Sequence, residues 1–173
     1  MPTRITLADV HALATEAHAG QFDKIGAPYI RHVEAVAAGL APFGVGMQMA
    51  GLLHDTLEDT DLTAEQLLAA GVPGTVVDLV QRVTNNPDVT YQAKIEAIVT
   101  NYGATLIKIA DNAHNSHPDR TAQLPAEKRE RLARKYADAR SVLWAAVPVE
   151  DVKAIVSIVN PALLGELGAQ LWR

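Results

Sequence analysis

Residues 47–59 read MQMAGLLHDTLED, and this stretch decides the fold. An apolar run, Met49-Ala50-Gly51-Leu52-Leu53, leads without a polar break into His54-Asp55 and then into Glu58 and Asp59. The run lacks the strict alternation of a half-buried strand and is built from good helix formers, so it predicts a buried helix carrying a histidine and an aspartate at its inner end. Asp55, Glu58, Asp59 and Asp61 put four carboxylates within seven residues. On one helix Asp55 and Asp59 share a face at i and i+4, which costs roughly a few tenths of a kcal/mol. Negative charge near a helix C-terminus is also opposed by the macrodipole. A bound cation relieves both costs.

The same composition continues outward. Alanine and leucine dominate and β-branched alternation is scarce, so the chain is expected to be all-α, a helical bundle of roughly eight to ten helices in a single domain over 1–173. Thr6 with Asp9, and Thr63 with Gln66, are capping-box pairs. Further helices are expected over about 29–40, 76–83, 91–100 and 106–114, although TLIKI (105–109) alone also passes as a strand. Pro125 suits the first turn of a longer helix with Leu132, Tyr136, Ala139 and Leu143 on one face and Lys128, Arg129, Arg131 and Lys135 on a solvated one. Two C-terminal helices separate near Pro161, and Trp144 and Trp172 are expected to be packing residues.

Composition excludes several functions. The chain has 173 residues, enough for a sizeable core, and is 49% hydrophobic. With no cysteine it has neither disulfide nor thiolate metal site. No apolar stretch reaches membrane-span length and the first residues lack a signal peptide's apolar core, so a cytoplasmic protein without a membrane partner is expected. A net charge of −5 argues against nucleic acid as a partner. A homo-oligomer is left open.

Four dispersed residues, His32, His54, Asp55 and Asp111, form a mixed nitrogen and oxygen donor set. Singly each has a plain structural reading. His54 reads as a core histidine bonded to a carbonyl, Asp111 as a cap beside Asn112 and Asn115, and His32 as an ordinary helical residue. Together they suit manganese, iron, zinc or cobalt better than magnesium or calcium. Four ligands leave two octahedral positions for water and a phosphoryl oxygen, with Glu58 and Asp59 placed to handle the proton.

At these residues the chain resembles the HD superfamily of metal-dependent phosphohydrolases, whose ligands run in the order His, His-Asp, Asp. Four segments bring it closer to the Rel/Spo-type alarmone hydrolases, which remove the 3′-pyrophosphate of ppGpp. They are AHAGQFDKIGAPYIRH (17–32), MAGLLHDTLEDT (49–60), TYQAKIEAI (90–98) and IKIADNAHNS (107–116). The resemblance spans about Leu7 to Arg120 and implies an all-helical fold and a manganese cofactor. It also implies metal ligands His32, His54, Asp55 and Asp111, hydrolytic carboxylates Glu58 and Asp59, and a small phosphorylated nucleotide as substrate. Lys24 and Lys94 are expected to contact its phosphates and Asn115 to line its pocket. Lys108 and Arg82 are read as surface charges, His18 as a structural hydrogen-bonder, and His114 and His117 as surface residues.

The chain departs from that branch twice. Asp23 stands where an arginine usually stacks on guanine, and its charge is expected to repel phosphate. Asn112 stands where a second cation is usual. The expected activity is therefore a ppGpp 3′-pyrophosphohydrolase-like one. The alternatives are hydrolysis of another nucleotide or phosphate ester, such as a nucleoside monophosphate, and a non-catalytic nucleotide binder.

Overall fold

The computed structural model describes residues 5–172. Every regular element among them is helical, and a lone bridge pairs Phe22 with Pro28. The helices are α1 (Leu7–Ala17), α2 (Ile30–Gly39), α3 (Val45–Leu53), α4 (Thr56–Asp59), α5 (Ala64–Ala69) and α6 (Gly74–Val83). Then follow α7 (Tyr91–Ile98), α8 (Tyr102–Asn115), α9 (Pro118–Thr121), α10 (Ala126–Ala145), α11 (Val149–Val159) and α12 (Leu164–Gln170). The all-α expectation holds, and the extra elements are short helices within the connections. None is long and apolar enough to cross a membrane.

Local chemistry sets the boundaries. Both capping boxes form, Thr6 with Asp9 and Thr63 with Gln66. The ambiguous TLIKI segment is helical because Asn101 caps α8, its side chain accepting from the Ala104 N–H, and the apolar run continues for a helix's length. Residues 104–107 and 109–113 of α8 are buried nearly all round. Such a helix belongs at the centre. It packs against α2, α3, α6, α7, α10 and α11. Leu132, Ala139 and Leu143 of α10 face the core as expected. Trp144 packs, but Trp172 is 91% exposed, because it lies past the last turn of α12 where no described element covers it.

The acidic segment corrects the expectation most. It is not the C-terminal turn of one long helix. The chain leaves α3 after Leu53, His54 caps α3, and Asp55 begins the new four-residue α4. Glu58 and Asp59 therefore lie in a first turn, and the expected dipole penalty does not apply. The break also has a geometric use. Adjacent residues on a continuous helix point about 100° apart. Across the break, His54 Nε2 and Asp55 Oδ2 converge to 3.0 Å.

Close approach of α2 and α3 brings the second histidine in. A Cβ on Gly51 would sit 2.9 Å from the Ala37 Cα and 3.0 Å from its nitrogen, both backbone atoms. Only glycine permits this packing. Gly51→Ala is expected to destabilise the fold by about 1–3 kcal/mol through overpacking, read as a lower midpoint in urea. An unchanged midpoint would contradict the close α2–α3 contact.

Candidate metal centre and cleft

Two helices and the α3–α4 break bring the four expected ligands to one place. His32 comes from α2, His54 and Asp55 from the break, and Asp111 from the buried end of α8. His32 Nε2 lies 3.1 Å from Asp111 Oδ1 and 3.5 Å from Asp55 Oδ2. His54 Nε2 lies 3.0 Å from Asp55 Oδ2 and 3.7 Å from Asp111 Oδ1. Donor atoms of His32, His54 and Asp55 all fall within 4.8 Å of one another, as a metal ion requires.

The outward nitrogens show which atoms face inward. His54 Nδ1 is 2.7 Å from the Gly51 carbonyl, which only accepts, so Nδ1 carries the proton there. His32 Nδ1 is 2.8 Å from Nδ1 of His114. A neutral His54 held this way turns its Nε2 lone pair toward two carboxylates. His54 Nε2 is buried and has no hydrogen-bond partner. An orphaned buried nitrogen facing buried carboxylates suits a cation, and outward anchoring of ring nitrogens is how metal-ligating histidines are held. The site therefore fits the divalent ion that its donor set implies.

Without a metal, a proton takes the cation's place. Burial disfavours charge on His54, yet Asp55, together with Asp111, outweighs it and pushes this imidazole up to about 10. Against the cost of burial, His54 and His32 hold the Asp55 carboxyl well below the usual range. Lys108 and the two imidazoles do the same for Asp111.

The surrounding residues divide into expected and unexpected. Asn115 Nδ2 donates to Asp111 Oδ1 at 2.8 Å and also lines the cleft. Lys108 is not a surface charge. One turn before Asp111 on α8, it donates to Asp111 Oδ2 at 2.6 Å, its side chain 13% exposed. Tyr29 was not singled out by sequence, though it sits in the PYI segment. Its hydroxyl donates to Asp55 Oδ2 at 2.7 Å, and burial followed by the Asp55 charge raises it far above the usual phenol range. His114 is half-buried rather than a plain surface residue, its ring edge to edge with His32 and the centroids 5.0 Å apart. Burial and the neighbouring His32 and Arg120 push it down to about 3. His18 is the structural hydrogen-bonder expected, 2.8 Å from Gln21 Oε1. Arg82 pairs with Asp78 on an exposed face, as expected.

A cleft of ≈ 320 Å³ opens over these groups. Its floor holds His54, Asp55 and Asp111, one side Glu58 and Asp59, and its walls Lys24, Lys94, Asn115, Arg120, Lys135 and three tyrosines. Glu58 Oε1 accepts from the Asn85 N–H at 2.6 Å and lies 3.9 Å from Lys94 Nζ. Burial, then the Asp55 and Glu58 charges, raises the Asp59 carboxyl. Lys94 also donates to Asn85, and burial followed by Lys108 lowers it. Lys24 and Lys135 have no carboxylate partner among the described residues. Lys135 Nζ sits 4.2 Å over the Tyr91 ring, so the basic face of α10 borders the cleft rather than only solvent.

Both departures read differently in three dimensions. Asp23 does not face the cleft as a bare charge. Its Oδ1 accepts from the Ile25 and Ala27 N–H groups at 3.0 and 2.9 Å, and its Oδ2 lies 3.3 Å from Arg120. Asn112 is buried away from the cleft, donating to the Tyr136 carbonyl and accepting from Arg140. Its change from a cation removes no charge from the cleft wall.

The helical core with a His, His-Asp, Asp centre at the floor of a cleft defines a class, and residues 11–159 match the HD domain family model. The chain belongs to the HD domain family. It is 32% identical over 154 residues, 82% of its own length, to the guanosine-3′,5′-bis(diphosphate) 3′-pyrophosphohydrolase of Haemophilus influenzae. It is 32% identical over 163 residues, 85% of its length, to the bifunctional (p)ppGpp synthase/hydrolase SpoT of Escherichia coli. The chain spans 22% of the length of each of these curated relatives. A solved structure described as a metazoan ortholog of SpoT that hydrolyzes ppGpp matches with TM-score 0.68 and 25% identity, covering 95% of this chain and 94% of that one.

The charge balance sets a stability window for the metal-free chain. His54 is raised on folding, so its contribution is full below its ordinary value of 6.5 and is lost as pH climbs to about 10. Asp55 and Asp111 are depressed, so theirs is present above 3.8 and is lost as pH falls below it. With chelator present, the urea midpoint is expected to decline steadily from pH 6.5 to pH 10. A midpoint flat across that range would contradict the assigned balance.

Proposed function

We propose that the chain, acting as one domain, is a manganese-dependent phosphohydrolase that removes pyrophosphate from the 3′ position of guanosine-3′,5′-bis(diphosphate). The observation that carries the reading is the pair of inward-facing imidazole nitrogens set against Asp55 and Asp111 at the floor of a lysine-lined cleft. The activities named for the two bacterial relatives and for the metazoan structure support the choice of substrate.

His32, His54, Asp55 and Asp111 hold the ion in this reading. Lys108 and Asn115 fix Asp111, and Tyr29 fixes Asp55. When bound, a divalent ion supplies Lewis acidity toward a phosphoryl oxygen and toward water. Glu58 and Asp59 handle the proton at the cleft wall. Asp59 suits that task because its raised carboxyl takes up a proton more readily than an ordinary one. Lys24, Lys94 and Lys135 bind phosphate oxygens, and the two lysines without carboxylate partners have the most to gain from an anion. The net charge of −5 does not oppose a polyanionic substrate, because the cleft's own cations and the ion set the local field.

The test is a nucleotide panel with added manganese, scored for the phosphate released. Pyrophosphate from guanosine-3′,5′-bis(diphosphate) supports the reading. Orthophosphate from nucleoside monophosphates alone would replace it with a nucleotidase, and tight binding without turnover would make the chain a binder. Asp55→Ala is expected to abolish manganese uptake as well as turnover, whereas Glu58→Gln is expected to keep the ion and lose at least about a hundredfold in rate. Full manganese stoichiometry in Asp55→Ala would remove Asp55 from the ligand set.

A further inference from the structure

A line of contacts runs from the loop over the cleft to the metal centre, through a residue that sequence did not single out. Asp23 Oδ2 lies 3.3 Å from Arg120 NH1, and the same NH1 lies 3.3 Å from His114 Nδ1. His114 Nδ1 in turn lies 2.8 Å from His32 Nδ1. Side chains along this line are confined, with Asp23 5% and Arg120 17% exposed.

The direction of each hydrogen bond follows from the donors available. A guanidinium only donates, so His114 Nδ1 is an acceptor. The proton between His114 and His32 must then sit on His32 Nδ1. That leaves the His32 Nε2 lone pair pointing at Asp55 and Asp111. With His114 the other way round, His32 would carry its proton on Nε2 and present no lone pair there. Which ring nitrogen is free to ligate is decided by the bond the other one makes.

We propose that Arg120, anchored by Asp23, is a positioning residue that selects the ligating form of His32 through His114. The assignment rests on His32 being a metal ligand. It gives the acidic residue in the loop a purpose. Asp23 shapes the loop with one oxygen and holds Arg120 with the other, so the loop over the cleft and the ligand below it are mechanically joined.

The test is calorimetric titration of the full chain with manganese chloride and no nucleotide. Loss of an outer partner of a ligating histidine typically costs about 10–100-fold in metal affinity. Arg120→Met is expected to weaken manganese binding by about tenfold or more, and Arg120→Lys, which still donates, to recover most of it. His114→Phe is expected to match Arg120→Met, and the double variant to lose no more than either alone, because both act on one path. Asp23→Asn keeps the loop's acceptor oxygen but not the charge, and is expected to lose part of the affinity. It also serves as the measurement should Arg120→Met fail to fold. Parental affinity in Arg120→Met and Asp23→Asn, or additive losses in the double variant, would overturn the assignment. A parent chain that takes up no manganese would overturn the metal centre and this assignment together.

Discussion

The structure depends on one electrostatic requirement. Two imidazole lone pairs and two carboxylates converge in a space from which water is largely excluded, and they repel unless a positive charge lies among them. In the metal-free chain that charge is a proton on His54 together with the Lys108 ammonium. With an ion bound, it is the ion. The rest of the scaffold serves this convergence. The break between α3 and α4 turns adjacent His54 and Asp55 onto one point, Gly51 lets α2 approach α3, and the buried helix α8 carries Asp111 to the same histidines.

Helix content, caps and core faces were legible in the sequence because local rules determine them. Thr6 and Thr63 needed only a partner three residues on, and the stripe on α10 needed only the helical period. The four candidate ligands lie close together, and Lys24, Lys94 and Asn115 line one cleft with three of them, because the motifs that carry them mark position along the chain. What escaped the sequence was pairing across it. Lys108 reads as a surface lysine until the helix places it on Asp111. His114 and Arg120 acquire partners 82 and 97 residues away, His32 and Asp23, with no local pattern to announce them. The break at His54-Asp55 was missed because MQMAGLLHDTLED has helix-forming residues on both sides of it.

The departures from the alarmone-hydrolase pattern look like losses of charge in one dimension and like redistribution in three. Asn112 is a buried connector to Arg140 and Tyr136, outside the cleft. Asp23 brings no bare charge to the cleft because it faces Arg120, and Arg120 lines the cleft itself. A guanidinium is therefore present beside the loop although the loop does not encode one.

The central claim is that the four residues form one ion site. Anomalous diffraction at the manganese absorption edge, from crystals equilibrated with manganese, tests it directly. A single strong peak among His32 Nε2, His54 Nε2, Asp55 and Asp111 is the expected result. Asp55 with the exposed Glu58 and Asp59 also brings carboxylate oxygens within 4.8 Å of one another. A peak only there, or no peak, would contradict the account.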